Sequence, residues 1–244
     1  MSHLIALAAR SAWNRRGTLS LTLLAIMLSV ALLLGVERLR HDARETFSQS
    51  VSGTDLVVGA RTSPVQLMLY AVFRIGGVSH NINWQSYRML AEHPQVAWSI
   101  PLSLGDSHRG FPVVGTSPAY FEHFRHGEAE PLRLEAGRPF ATLFEAVIGA
   151  DVAQQLGYRL GQAVVLNHGT GEIALAAHAD KPFVVSGILA STGTPVDRSV
   201  HVSLEAIEAI HLDWQGGAPM PGVSIAPEHL RKFDLTPKQI TAAL

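Results

Sequence analysis

The chain has no cysteine. Disulfides, thiolate metal sites and cysteine nucleophiles are therefore excluded, although compartment is not settled by that absence. Lysine is scarce too, with only Lys181, Lys232 and Lys238 beside sixteen arginines, which reflects genome composition more than function. A formal net charge of −1 leaves no basic excess suited to nucleic acid. Motifs of catalysis are missing as well. There is no G-x-x-x-x-G-K-[ST] to cradle phosphates, no H-E-x-x-H and no G-x-S-x-G. Ser, His and Asp occur, but no local pattern assembles them into a triad. No residue is assigned a catalytic or cofactor-binding role, and neither internal repeats nor low-complexity stretches are found.

What the chain does have is one long apolar run. Gly17 to Val36, GTLSLTLLAIMLSVALLLGV, is 20 residues without a charge. At ~1.5 Å rise per residue that is ~30 Å, one bilayer hydrocarbon core. A buried core helix rarely runs so far without a polar face, and the stretch is read as a membrane span. A signal peptide would have a shorter apolar core and a small-residue cleavage site. This run instead exits through Leu34-Gly35-Val36-Glu37-Arg38, so an uncleaved anchor is expected. Arg10, Arg15 and Arg16 precede it without an acidic residue, which favours a cytoplasmic N-terminus by the positive-inside rule. Arg38, Arg40 and Arg44 on the far flank weaken that bias.

Either side of the span the pattern is helical. Leu4, Ile5, Ala8, Ala9, Ala12 and Trp13 form one stripe, so residues 1–16 are read as an interfacial amphipathic helix. Val36, Leu39, Ala43 and Phe47 continue the spacing beyond the span, with Arg38 and Asp42 placed for an i, i+4 ion pair. Residues 17–47 are accordingly read as transmembrane helix and stalk. A rigid stalk suits a protein that transmits motion, where a plain tether would use a flexible linker.

From residue 48 to 244 short strands alternate with short helices, an α+β pattern with a mixed or antiparallel sheet. Strands are expected at Asp55–Gly59, Ala146–Gly149, Phe183–Leu189 and Val200–Val202. Helices are expected at Pro64–Ile75, Trp84–Ala91, Ser117–Phe124 and, capped by Ser203, to about His211. Val96–Leu104 and Gly110–Val114 read as a hairpin turning at Gly105-Asp106-Ser107, and Ala163–Leu166 and Ile173–Ala177 as strands about Gly169-Thr170-Gly171. Asp151 is expected to cap a helix from Val152 to Leu156. Asp197-Arg198 reads as a loop-stabilising pair. Leu235–Leu244, with Thr236-Pro237 as cap and first residue, reads as a helix just beginning, so the chain is expected to continue.

Twelve histidines require an account. His123 and His126, at i and i+3 beside Glu122 and Glu128, have a spacing that would serve Zn²⁺ or Cu²⁺ on a helix; a solvated helix end is the reading preferred. The others are scattered at turns and element ends without ligand spacing, so no metal ligand is assigned. Leu67, Met68 and Tyr70 either line an apolar path or, as preferred, belong to the core.

Several segments taken in order carry a family resemblance. They are SGTDLVVGA after the stalk, FPVVGTSPAYFEHF, LEAGRPF, EAVIGADVAQQLGYRLGQAVVL and FVVSGILASTGTPVDRSVHVSL. In the fourth, Val147, Gly149, Val152, Ala153, Leu156, Gly157, Gly161 and Val164 occupy signature positions. Across residues 1 to about 205 the chain resembles the MacB/FtsX-like permeases of ABC transporters. The resemblance implies a periplasmic domain of two subdomains, the β-rich one inserted at about 132–190. It also implies placement in the bacterial inner (plasma) membrane, a separate cytoplasmic ABC ATPase, a dimer of permeases and a periplasmic partner protein. The chain itself would be a non-catalytic subunit without a cofactor. Family members handle lipoproteins, peptides, macrolides or the cell-division machinery, and some relatives are linked to metal uptake. Three further spans usual in the family do not occur here. Two alternatives stay open: a membrane-anchored periplasmic binding or adaptor module, and a periplasmic metal handler using the histidines.

Overall fold

The computed structural model describes residues 2–77, 80–169, 176–215, 218–220 and 225–244. They fall into two compact units, 1–47 and 48–244.

The first unit is helical. Helix α1 (Ser2–Asn14) is separated from α2 (Arg16–Ser50) by the single turn residue Arg15. Ile5, Leu7 and Trp13 of α1 are exposed, and the Arg16 guanidinium lies 5.6 Å from the centre of the Trp13 ring. Within α2, Arg16–Asp42 is long and apolar enough to cross a membrane, and none of its most apolar stretch is buried by protein. Ten leucine, isoleucine, methionine and valine side chains between Leu21 and Leu34 face outward. An apolar surface of that extent is what a membrane span presents. The Arg38–Asp42 ion pair forms at 3.1 Å.

The second unit opens with β1 (Val58–Gly59) and α3 (Pro64–Ala71), whose first turn is capped by the Ser63 hydroxyl accepting from the Gln66 amide. The helix stops four residues short of Ile75. Strand β2 (Ile82–Asn83) leads into α4 (Trp84–Ala91), capped by Asn83. A hairpin of β3 (Pro101–His108) and β4 (Phe111–Thr116) turns at Arg109-Gly110, not at Gly105-Asp106-Ser107. Those three residues remain in β3 as a bulge between Leu104 and Ser107. Gly105 takes φ 147°, a conformation open to glycine, and the extra residue lets the strand continue past its partner.

Helix α5 (Ala119–His123) follows, then a tight pair of β5 (Arg125–His126) and β6 (Glu130–Pro131). Next come β7 (Leu134–Gly137), β8 (Glu145–Ile148) and α6 (Ala150–Leu156). Asp151 does not cap α6: the cap is Gly149, and Asp151 lies in the first turn. A Cβ at Gly149 would stand 2.3 Å from the Asp197 carbonyl oxygen, so the residue is glycine because two backbones meet there.

Strands β9 (Ala163–Val164), β10 (Asn167–His168), β11 (Ala176–Ala177) and β12 (Phe183–Leu189) complete the middle of the chain. The expected Gly169-Thr170-Gly171 turn lies largely outside the described residues. β13 (Val200–Ser203) runs into α7 (Leu204–His211), where the Ser203 hydroxyl accepts from the Ala206 amide. Asp197 does hold its loop, but its partners are Ser191, Thr192 and Gly193, while Arg198 reaches over the Phe111 ring. A pair β14 (Trp214–Gln215) and β15 (Ala218–Pro219) precedes the last two strands, β16 (Gln239–Ile240) and β17 (Ala242–Ala243). No helix begins after Thr236.

Among the described residues eleven strands form one mixed sheet. Its main path runs β1-β17-β3-β4-β13-β8-β12-β7, with β9, β10 and β11 attached beside it. Pairs β13–β4 and β12–β8 are parallel, and the other pairings within this sheet are antiparallel. Central strands bury alternate residues in two cores, as a period of two requires. Val113, Ile148, Val185, Val200 and Val202 join α6 and α7 on one face. Val114, Val147 and Leu189 join Tyr120, Phe124 and Phe140 on the other. Tyr70 and Ala71 of α3 are buried with Ala242, and Leu67 packs against them, the core role expected of Tyr70 and Leu67; Met68 is half-buried.

Candidate functional site

His123 and His126 do not share a helix. Helix α5 ends at His123, Phe124 is extended, and His126 lies in β5 opposite Glu130. His123 stacks on Trp98 with ring centres 5.4 Å apart. Only His123 lies at a helix end; His126 belongs to a strand, so the i, i+3 helical spacing expected for the pair is not formed.

Elsewhere the fold gathers a different set. Asp106 lies at the β3 bulge, and antiparallel pairing of β10 with β3 sets His168 directly opposite it. His178 follows β11, its amide donating to the Leu166 carbonyl oxygen at 2.9 Å. His211 is the last residue of α7. One nitrogen or oxygen from each of these four residues lies within 4.8 Å of the others. His168 Nδ1 is 3.2 Å from Asp106 Oδ1 and 3.1 Å from His211 Nε2, and His211 Nε2 is 3.6 Å from the same carboxylate oxygen.

The surroundings fix the rings. His211 Nδ1 donates to the Ile207 carbonyl oxygen at 2.8 Å, which turns its Nε2 toward the cluster. The Trp214 ring lies 4.1 Å from that of His178, centre to centre, and also adjoins His168 and His211. Lys181 is fully buried and donates to both Asp213 oxygens, at 2.7 and 2.9 Å. That pair ties the His178–Lys181 turn to the segment beyond α7.

Charge follows from this packing. Burial alone would raise the Asp106 carboxyl, but hydrogen bonds with His168 and His211 outweigh it and hold the group at about 2. Burial lowers His178 to about 4, helped by the neighbouring His211. For His211 burial acts downward, yet the Asp106 contacts prevail and its pKa is raised. His178 is completely buried, and neither ring nitrogen has a hydrogen-bond partner.

Sequence spacing did not register this set, because its members lie as much as 105 positions apart and meet through strand pairing. One local sign was available: His168 and His178 flank the glycine turn read as a hairpin. Other buried histidines are structural. His201 Nδ1 faces the Val147 carbonyl oxygen among aromatic rings, and His108 bridges Val165 and Tyr158.

A mixed sheet with helices on both faces, preceded by one helix long and apolar enough to cross a membrane, defines an α+β domain behind a candidate span. More particularly, the chain belongs to the family of the MacB-like periplasmic core domain, a domain of ABC transporter permeases, whose family model matches residues 19–226. Two solved structures are similar. One is the extracellular domain of the noncanonic ABC-type transporter YknZ from Gram-positive bacteria, at 12% identity and a TM-score of 0.38, over 67% of this chain and 71% of that one. The other is the periplasmic region of MacB from Actinobacillus actinomycetemcomitans, at 11% identity and a TM-score of 0.41, over 80% of this chain and 90% of that one. No curated protein matches the chain.

Proposed function

We propose that the chain belongs to a permease subunit of a MacB/FtsX-like ABC transporter. In this reading α2 crosses the inner membrane with the N-terminus in the cytoplasm and residues 48–244 in the periplasm. A separate cytoplasmic ATPase hydrolyses ATP, and paired permeases carry the motion through their stalks. The work done is movement or export of a substrate such as a lipoprotein, peptide or small molecule. Membership of the periplasmic-core family over residues 19–226 is the observation that supports it. An uninterrupted α2 from Arg16 to Ser50 is a suitable lever, since a helix transmits displacement where a coil would absorb it.

A direct test is affinity purification of the tagged chain from detergent-solubilised membranes of its native host, with mass spectrometry of what accompanies it. An ABC ATPase carrying its own P-loop is expected at comparable abundance. If no such ATPase accompanies it, the reading gives way to a membrane-anchored binding or adaptor module.

A further inference from the structure

We propose that Asp106, His168, His178 and His211 bind one divalent transition-metal ion of the zinc type.

Geometry carries the proposal first. Four nitrogen and oxygen donors at about 2.0–2.1 Å from a tetrahedral ion stand roughly 3.3–3.4 Å from one another. Three of the donor atoms here are already 3.1, 3.2 and 3.6 Å apart, which is a face of that tetrahedron. The fourth comes from His178, within 4.8 Å of the rest, and it would have to move closer for the set to close on an ion.

Unmet hydrogen bonding carries it second. A network of hydrogen bonds accounts for three members only: the single Nδ1 of His168 reaches Asp106 and His211 and nothing else. It leaves His178 fully buried with both ring nitrogens bare, an arrangement that native interiors rarely leave unmatched. Coordination by one of those nitrogens would give that one a partner and leave only the other unmatched.

Supporting contacts are those a metal site needs. His211 is held by Nδ1 donating to a backbone carbonyl, leaving Nε2 for the ion. The Lys181–Asp213 pair fixes the turn that presents His178. A cavity of about 320 Å³ bordered by Asp106, His168, His211 and Glu208 gives the ion a route in. Imidazole and carboxylate without sulfur suit Zn²⁺ and exclude a soft Cu⁺ site. With four protein ligands the site is closed, so the ion would staple β3, the β10–β11 hairpin and α7 together without activating water.

The proposal does not depend on the transporter reading. The chain, purified in detergent and stripped with a chelator, would be titrated with Zn²⁺ by calorimetry and with Co²⁺ by visible absorption. One equivalent of Zn²⁺ and intense tetrahedral Co²⁺ bands are expected. His178→Gln and His211→Gln should each weaken Zn²⁺ binding by roughly 100-fold or more, since even outer-shell changes cost about 10–100-fold. The double variant His123→Gln, His126→Gln should bind like the unaltered chain. Absence of stoichiometric binding, or binding unchanged in both cluster variants, overturns the proposal. Should those variants fail to fold, the Co²⁺ spectrum of the unaltered chain decides, because a six-coordinate spectrum contradicts the site.

Discussion

Glu145 shows how a single side chain can organise a turn. Its carboxylate receives two hydrogen bonds from the Arg138 guanidinium and two more from the amides of Ala141 and Thr142. Chiefly through Arg138, these contacts hold the Glu145 carboxyl at about 2, below the ordinary 4.5. A depressed carboxylate contributes stability that is complete above its unfolded pKa and disappears as pH falls through the folded value. Replacing Glu145 with Gln should therefore lower the melting temperature near neutrality. The difference should shrink between about pH 4.5 and pH 2. Thermal melts of both forms across that range check it, and a difference independent of pH would contradict the assignment. At this scale the sequence was legible wherever a cap acts on its own neighbours. Ser203 does what its position before a helical run suggested. Asp151 did not, because Gly149 occupies the cap where the backbone must pass close to Asp197. The four-residue cluster was not legible at all, since nothing local brings Asp106 near His178.

Among elements, those with a strong internal period were readable. Helix Trp84–Ala91 and strand Phe183–Leu189 occupy the stretches their patterns predict. The segments that differ take their structure from distant partners. Gly105-Asp106-Ser107 has turn composition, yet pairing of β3 with β4 on both sides keeps it in the strand as a bulge. The last ten residues resemble a helix start, but Ala242 and Ala243 fill the gap between β1 and β3. That gap exists only once the rest of the sheet has formed. Ala242 is fully buried against Tyr70 and Ala71. Ala242→Asp would place an unpaired carboxylate there, at a cost of about 3 kcal/mol or more. A fall in melting temperature of roughly 6–12 °C is expected for a domain of this size. Gln154→Asp on exposed α6 should change it little, and equal effects from the two substitutions would argue against β17 as part of the core.

For the whole molecule, composition already separated an apolar helix from an α+β domain, and the family match spans both. The remaining central claim is topological: α2 crosses the membrane, with the N-terminus in the cytoplasm and the sheet domain outside. Because the chain lacks cysteine, any introduced one is a unique reporter. Ser11→Cys on α1 and Gln154→Cys on α6 both occupy exposed positions. Intact spheroplasts treated with a membrane-impermeant maleimide should label Gln154→Cys at once, and Ser11→Cys only after permeabilisation. Labelling of Ser11→Cys in intact spheroplasts with protection of Gln154→Cys would reverse the topology. Protection of both would place the sheet domain inside the cell and contradict the account.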